Sequence, residues 1–286
     1  MNITYKFSLD KTSRKFTCPN CNKKSFVKFI DNETKHYLDE INGRCDRESK
    51  CGYFKKPSKN FSITKSNLCI TDIIQPTYHK SNIVIQYCDT LQQSNFITYL
   101  LSIFSTKSVI QAIKTYQIGI TNYWNGATVF WQIDTNNKIR GGKIMQYNCN
   151  TGKRVKQPFN HISWMHKHLK LNNFVLKQCL FGLQNVNNIT KDDIICIVES
   201  EKTAIIMSIV CPKFLWLATG SKSGFKREML HSIKDYRIIA YPDKTEYKLW
   251  YEKVILLNKE GFTIQCSSLL ENLNLEDGCD LFDFLF

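Results

Sequence analysis

Four of the twelve cysteines are spaced to share one metal ion. Cys18-Pro19-Asn20-Cys21 supplies one pair, 23 residues separate Cys21 from Cys45, and five more separate Cys45 from Cys51. Two short loops that each offer two thiolates, brought together by the fold between them, make a tetrahedral four-cysteine Zn2+ site. Such a site is closed, so it shapes a fold rather than catalysing a reaction. A second group lies far along the chain. Glu199, the loop Gly220-Ser221-Lys222 and Asp243 each follow a short apolar run. Two carboxylates converging on one edge could hold Mg2+ and leave one of them for proton transfer. The plainer alternative has Glu199 or Glu201 opening a helix as dipole-stabilising acids, and Asp243 capping the next helix.

Two kinds of element must position these residues. Near the cysteines, Phe26-Val27-Lys28-Phe29-Ile30 and the segment around His36-Tyr37-Leu38 predict a hairpin turning at Asp31-Asn32-Glu33. His36 in mid-strand reads as a surface residue rather than a ligand. In the last third, apolar runs at 194–198, 214–219, 237–241 and 262–266 alternate with helical stretches near 202–210, 226–233 and 246–259. Strands separated by helices predict a parallel sheet with both faces covered. Glu199, Gly220 with Lys222, and Asp243 then sit at the carboxyl ends of strands, where open α/β sheets carry their sites. Between the two regions, helices are expected near 95–104 and from about 106. A hairpin follows, with Ala127–Asp134 and Lys138–Tyr147 alternating in face and turning at Asn136-Asn137. His166-Lys167-His168 looks ligand-like, but no acid or cysteine is close in sequence, so a surface or core-edge pair is the expectation.

The formal charge is +14, with Lys outnumbering Arg 32 to 7, as an AT-rich coding bias alone would produce. Its distribution is more informative: +7 over 1–60, +10 over 61–190 and −3 over 191–286. Lys23, Lys24 and Arg44 lie among Phe16, Phe29, Tyr53 and Phe54 in the cysteine region; Arg140, Lys143, Lys153, Arg154 and Lys156 face only Asp134 in the middle. Lysines that neutralise phosphates beside aromatic faces that stack on bases suit single-stranded nucleic acid. A solvated basic face and a purely structural zinc clip are the alternatives. A composition of 43% hydrophobic and 22% charged residues argues against a disordered or fibrous chain. No apolar run approaches the ~20 residues of a membrane span, and the polar N-terminus lacks a secretory signal, so a cytoplasmic protein without a membrane partner is expected.

At these residues the chain resembles the Toprim fold shared by bacterial primases and topoisomerases. Val198-Glu199-Ser200-Glu201-Lys202-Thr203-Ala204 resembles that family's strand-end glutamate motif, with Ser200 where Gly is usual. Tyr241-Pro242-Asp243-Lys244-Thr245 keeps the first acid of its Asp-x-Asp magnesium pair and has Thr245 at the second. Glu276-Asp277-Gly278-Cys279-Asp280-Leu281-Phe282-Asp283 resembles the acidic element that often follows. A zinc ribbon, a basic β-rich middle and a Toprim module occur in that order in bacterial replicative primases. Lys143–Tyr147, Thr151–Lys156 and Leu180–Leu183 look like counterparts of their basic strands. The whole chain is similar to small primase-like proteins of plasmids and transposons in its ribbon, its Phe130-Trp131-Gln132-Ile133-Asp134 strand and its Val198–Ala204 segment.

The resemblance implies an α+β multidomain chain: a zinc ribbon over 1–60, a basic primase-core-like subdomain over 61–190 and a Toprim-like parallel sheet over 191–286. It implies a DNA-binding, primase-like protein of a mobile genetic element. Its partners would be single-stranded DNA, nucleoside triphosphates and the replication or mobilisation proteins of that element. Glu199 would be the general acid/base, Asp243 the principal Mg2+ ligand helped by Asp280 or Asp283, and Lys222 a phosphate contact. Activity does not follow from membership. With Thr245 neutral and Lys244 inserted, only one ion is well supported, whereas a two-metal polymerase holds its ions with several carboxylates. A non-catalytic single-stranded-DNA adaptor is therefore the main rival, and a Toprim nuclease the third reading. Because the sequence ends about where the acidic element does, no helicase-docking domain is expected.

Overall fold

The computed structural model describes residues 6–10, 12, 14–47, 50–57, 75–88 and 94–285. The Ser/Thr/Asn-rich start of the middle segment, through residue 74, lies outside them. The chain is a multidomain α+β protein that divides into two units, Met1–Ile73 and Ile74–Phe286.

The first unit is an antiparallel sheet of β1 (Phe7–Leu9), β2 (Phe16–Thr17), β3 (Lys24–Asp31), β4 (Gly43–Cys45) and β5 (Phe54–Lys55). The turn after β3 forms as expected, because Asp31 Oδ1 accepts the N–H groups of Glu33 and Thr34. The returning strand is elsewhere. The His36–Leu38 segment contributes one isolated bridge, Ile30 with Tyr37, and β3 pairs instead with β4, Phe26 opposite Cys45. Asp39 explains the difference, since its carboxylate accepts the N–H groups of Ile41 and Asn42 and bends the chain before it can extend. The core is small: Cys18, Phe26 and Cys45 are fully buried, with Phe16, Cys21, Cys51 and Tyr53 packed around them.

The second unit starts with three helices, α1 (Asn82–Tyr87), α2 (Asn95–Ile103) and α3 (Thr106–Tyr116). Ser94 and Ser105 cap the latter two by accepting the N–H groups of Ile97 and Ser108. An antiparallel meander follows, β6 (Gly119–Thr121), β7 (Ala127–Ile133), β8 (Ile139–Met145) and β9 (Ile162–Trp164), then α4 (Met165–His168). Asp134 builds the β7–β8 turn by accepting the N–H groups of Asn136 and Lys138. The expected hairpin is present, but neither face of β7 meets water, and all seven of its residues are buried. Phe130 points to a core shared with α2 and α3, while Val129, Trp131 and Ile133 point to a second core with α1. The period of two survives; what alternates is which core receives the side chain.

The chain then runs β10 (Ile194–Val198), α5 (Glu201–Val210), β11 (Leu215–Ala218), α6 (Arg227–Leu230), β12 (Arg237–Ala240), α7 (Tyr247–Lys259), β13 (Thr263–Cys266) and α8 (Leu281–Leu285). The four strands form a parallel sheet in the order β11-β10-β12-β13. Both faces are covered. Cys196 and Val198 pack with Ala204, Ile205 and Ile206 of α5, while Ile195 and Ile197 pack with Trp250 and Val254 of α7. The α5 side is the core that also contains Phe130 and Met145, so residues from both sheets share one interior. Burial of each such large apolar side chain contributes ~1.5–3 kcal/mol. Among the described residues no helix is long and apolar enough to cross a membrane.

Candidate functional site

In the first unit, Cys18, Cys21, Cys45 and Cys51 place their Sγ atoms within 4.8 Å of one another. The Cys18–Cys51 and Cys21–Cys45 separations are 3.8 and 3.9 Å. A tetrahedron with Zn–S bonds of ~2.3 Å has edges of ~3.8 Å, so the four thiols fit Zn2+. The knuckle backbone is already arranged for thiolates. Burial pushes the Cys18 thiol up to about 11 against the N–H groups of Cys21 and Asn20 that it accepts, whereas Cys21 accepts that of Lys23, which pulls its thiol down to about 6. Ser25 Oγ lies 3.2 Å from Cys45 Sγ, and Asn20 Nδ2 lies 3.4 Å from Cys51 Sγ. Lys23 and Lys24 are exposed. Lys28, in the same basic stretch, is not. Its ammonium is buried 2.5 Å from Glu40 and 4.1 Å above the Phe16 ring.

The second unit contains a cleft of about 580 Å³ at the carboxyl ends of the parallel strands. Glu199 follows β10, Gly220 follows β11 and Asp243 follows β12, and all three line it. The sequence-predicted convergence of strand ends is therefore met in space. Burial raises the Glu199 carboxyl, and the charge of Glu246 adds to this, while the Lys222 backbone N–H and the charges of Lys143 and Lys222 oppose it. Asp243 is pushed up to about 8, first by burial, then by the charges of Glu199, Asp280, Asp283 and Glu246. These acids repel one another in a partly dry cleft. A hard divalent cation such as Mg2+ would lower that repulsion, and Glu199 and Asp243 are the carboxylates that could hold one.

The other acids and lysines have definite places. Asp280 accepts from Thr203 Oγ1 at one oxygen and from the N–H groups of Phe282 and Asp283 at the other, so it anchors the start of α8. Lys222 sets its ammonium on Glu246. Lys244 turns out of the cleft onto the Leu273 carbonyl. Thr245 brings no carboxylate and has φ +76, a conformation that is costly for a β-branched residue. Its N–H donates to Glu271 at 3.0 Å.

Glu246 is the acid that sequence reasoning missed as a site residue. Its side chain is 14% exposed beside Lys222, and its charge acts on both Glu199 and Asp243. The signal for it in the sequence is its place three residues after Asp243, at the start of the helix expected over 246–259.

Lys153, Arg154 and Lys156, all exposed, line the same cleft. The two remaining basic candidates of the middle segment are not free contacts. Arg140 Nε lies 2.7 Å from Asp134 in its own hairpin. Lys143, expected to project outward, is buried with its ammonium 3.0 and 3.2 Å from the Glu201 oxygens and 2.7 Å from the Gly220 carbonyl. The reason is register: Lys143 sits on the β8 face that turns towards the parallel sheet, where Glu201 at the start of α5 neutralises it. Gly220 has φ +74, and a Cβ there would lie 2.9 Å from Glu201 Oε1, so only glycine fits beside the pair. His166 and His168 meet no acid cluster and pack instead on Phe174 and Tyr123.

The family model of a domain of unknown function, DUF6371, matches residues 94–244. That of a zinc beta-ribbon finger matches residues 5–66, and together with the four-cysteine geometry it identifies a structural Zn2+ site. No curated protein matches the chain. Several solved primases are similar in structure. The RNA polymerase domain of Mycobacterium tuberculosis primase DnaG is 11% identical, with a TM-score of 0.47, covering 70% of this chain and 75% of that one. The primase fragment of the bacteriophage T7 primase-helicase protein is 13% identical, with a TM-score of 0.43, covering 92% and 91%. The zinc-binding and RNA polymerase domains of Aquifex aeolicus primase are 10% identical, with a TM-score of 0.44, covering 97% and 77%.

Proposed function

The chain belongs to the DUF6371 family, and we propose that it is a primase-like protein that binds single-stranded DNA and joins nucleotides in the cleft. The carrying observation is that Glu199 and Asp243 line one cleft together with Lys153, Arg154 and Lys156. Nucleotidyl transfer on a strand has both needs, cationic side chains for the phosphates of the strand and a carboxylate-held cation for the triphosphate. Mg2+ held by Glu199 and Asp243, with Glu246 beside them, would supply neutralisation of the charge that develops on the phosphates. Glu199, half-buried with its carboxyl raised, accepts the proton of the attacking 3′-hydroxyl. The oxygen–phosphorus bond to the α-phosphate forms as pyrophosphate leaves. Roles follow the sequence division, with the ribbon (1–60) and basic middle (61–190) on template and the Toprim-like segment (191–286) on nucleotide. We read this activity as serving a mobile genetic element, a reading supported only by the motif resemblance of Val198–Ala204 and the Phe130–Asp134 strand to plasmid and transposon proteins.

Template-dependent synthesis on single-stranded DNA tests the reading. Glu199→Gln is expected to lower product formation by roughly 10²–10⁴-fold, the usual contribution of a positioned acid or base. Undiminished product from that variant removes Glu199 from the reaction.

One observation favours a second reading. Thr245 offers no carboxylate, and both Asp280 oxygens are engaged in holding α8, so fewer acids are free than a two-metal centre uses. A non-catalytic adaptor would bind single-stranded DNA with strong salt dependence and would show no heat of Mg2+ binding in calorimetry.

A further inference from the structure

Tyr123, Trp124, Phe159 and His161 form a continuous aromatic group that stays at the surface of the second unit. Phe159 is 53% exposed and Tyr123 41%. Phe159 stacks on His161 at 4.2 Å and 21°, His161 meets Trp124 at 5.1 Å, and Trp124 meets Tyr123 at 4.6 Å. None of the four is fully buried. Rings assembled with one another yet left in water mark a surface that receives a partner.

The charge around them selects that partner. From residue 135 to residue 191 the sequence has ten Lys and Arg and no Asp or Glu. The loop that carries Phe159 is pinned at its base: the Val155 N–H donates to Gln146 O, the Gln146 N–H to His161 O, and the His161 N–H to Val155 O. Lys156 and Phe159 therefore ride on one short loop. Lys156 belongs to the basic wall of the cleft with Lys153 and Arg154. A strand whose phosphates follow those three side chains meets the aromatic group within the next nucleotide or two, since three residues span at most ~11 Å. An apolar protein partner would have no use for the unopposed cations, and a duplex keeps its base faces covered.

We propose that Phe159, with His161 and Trp124 behind it, is a stacking platform for unpaired bases of single-stranded nucleic acid leading to the cleft. It rests on the single-strand-binding reading above and adds the contact that distinguishes a single strand from other polyanions. Stacking uses the π-face that every base has, so the platform is tolerant of sequence and of sugar.

The test is fluorescence anisotropy with the full-length zinc-loaded chain and labelled oligo-dT, oligo-rU and an abasic strand of equal length. Phe159→Ala is expected to weaken binding of the base-containing strands roughly 5- to 150-fold, the range of one base–aromatic contact. It should leave the abasic strand unchanged, and Phe159→Trp should retain wild-type affinity. A loss confined to oligo-dT or to oligo-rU overturns a platform that is tolerant of sugar. Equal loss on the abasic strand, or no loss on any strand, overturns the platform while the single-strand reading stands. Wild-type chain that binds no single strand, or prefers duplex, overturns both. His161→Ala, on the ring beneath, gives the same comparison should Phe159→Ala shift the thermal midpoint.

Discussion

Lys143 Nζ lies 3.0 and 3.2 Å from the two carboxylate oxygens of Glu201, with both side chains nearly excluded from water. The pair joins β8 of the antiparallel meander to the first turn of α5 on the parallel sheet, at the floor of the cleft. Removing one partner leaves an uncompensated buried charge, which typically costs ~3–5 kcal/mol. Lys143→Met and Glu201→Gln are each expected to lower stability in urea denaturation by an amount of that order. The double variant Lys143→Met/Glu201→Leu should lose much less than the two losses added together. Additive losses would show that the two residues do not act as a pair.

Asp243 gives the cleft a pH dependence of known sign. Its folded value, about 8, lies above the ordinary value of 3.8. Between those two pH values the folded chain holds a proton that the unfolded chain has released. Without a divalent cation, this residue's contribution to stability is therefore present at low pH and is lost as pH rises towards 8. Thermal midpoints from pH 5 to 9 should fall more steeply for wild type than for Asp243→Asn, and Mg2+ should reduce the difference. Proton and cation compete for the same group, so Mg2+ affinity should rise by up to about tenfold per pH unit below 8. Parallel pH profiles for the two proteins would refute the assignment.

The zinc ribbon depends on its ion because its buried apolar residues, among those described, are only Cys18, Phe26, Val27, Phe29 and Cys45. So small a core does not hold a fold alone. Purified protein should contain one zinc per chain. A chelator should abolish hydrogen-exchange protection in Lys24–Asp31 and leave Ala127–Ile133 protected. Persistent protection of Lys24–Asp31 after zinc is removed would contradict a metal-dependent ribbon.

Gly152 controls the approach of the basic wall. Its φ is +62, and a Cβ would lie 2.2 Å from a ring carbon of Tyr99. Gly152→Ala is expected to destabilise the protein by about 2 kcal/mol or more, through backbone strain and overpacking together. It should also weaken single-stranded DNA binding, since Lys153 and Arg154 follow directly. A variant with wild-type stability and affinity would mean that the turn tolerates a side chain.

Much of this molecule is written locally. The cysteine pairs are three and six residues apart, the sheet strands show their period, and Ser94, Ser105, Asp31 and Asp134 form caps and turns with neighbours two to four residues away. Such interactions need no knowledge of the rest of the chain, so the spacing alone indicates the zinc cluster, the hairpin and the order of strands with acids at their ends. Tertiary structure alone decided which charges are available. Lys143 and Glu201 are 58 residues apart, and only the packing of one sheet against the other turns an apparent surface lysine into a buried ion pair. Glu246, Asp280 and the basic loop acquire their roles in the same way. Burial and Coulomb energy depend on distance through space, and a sequence records distance only along the chain.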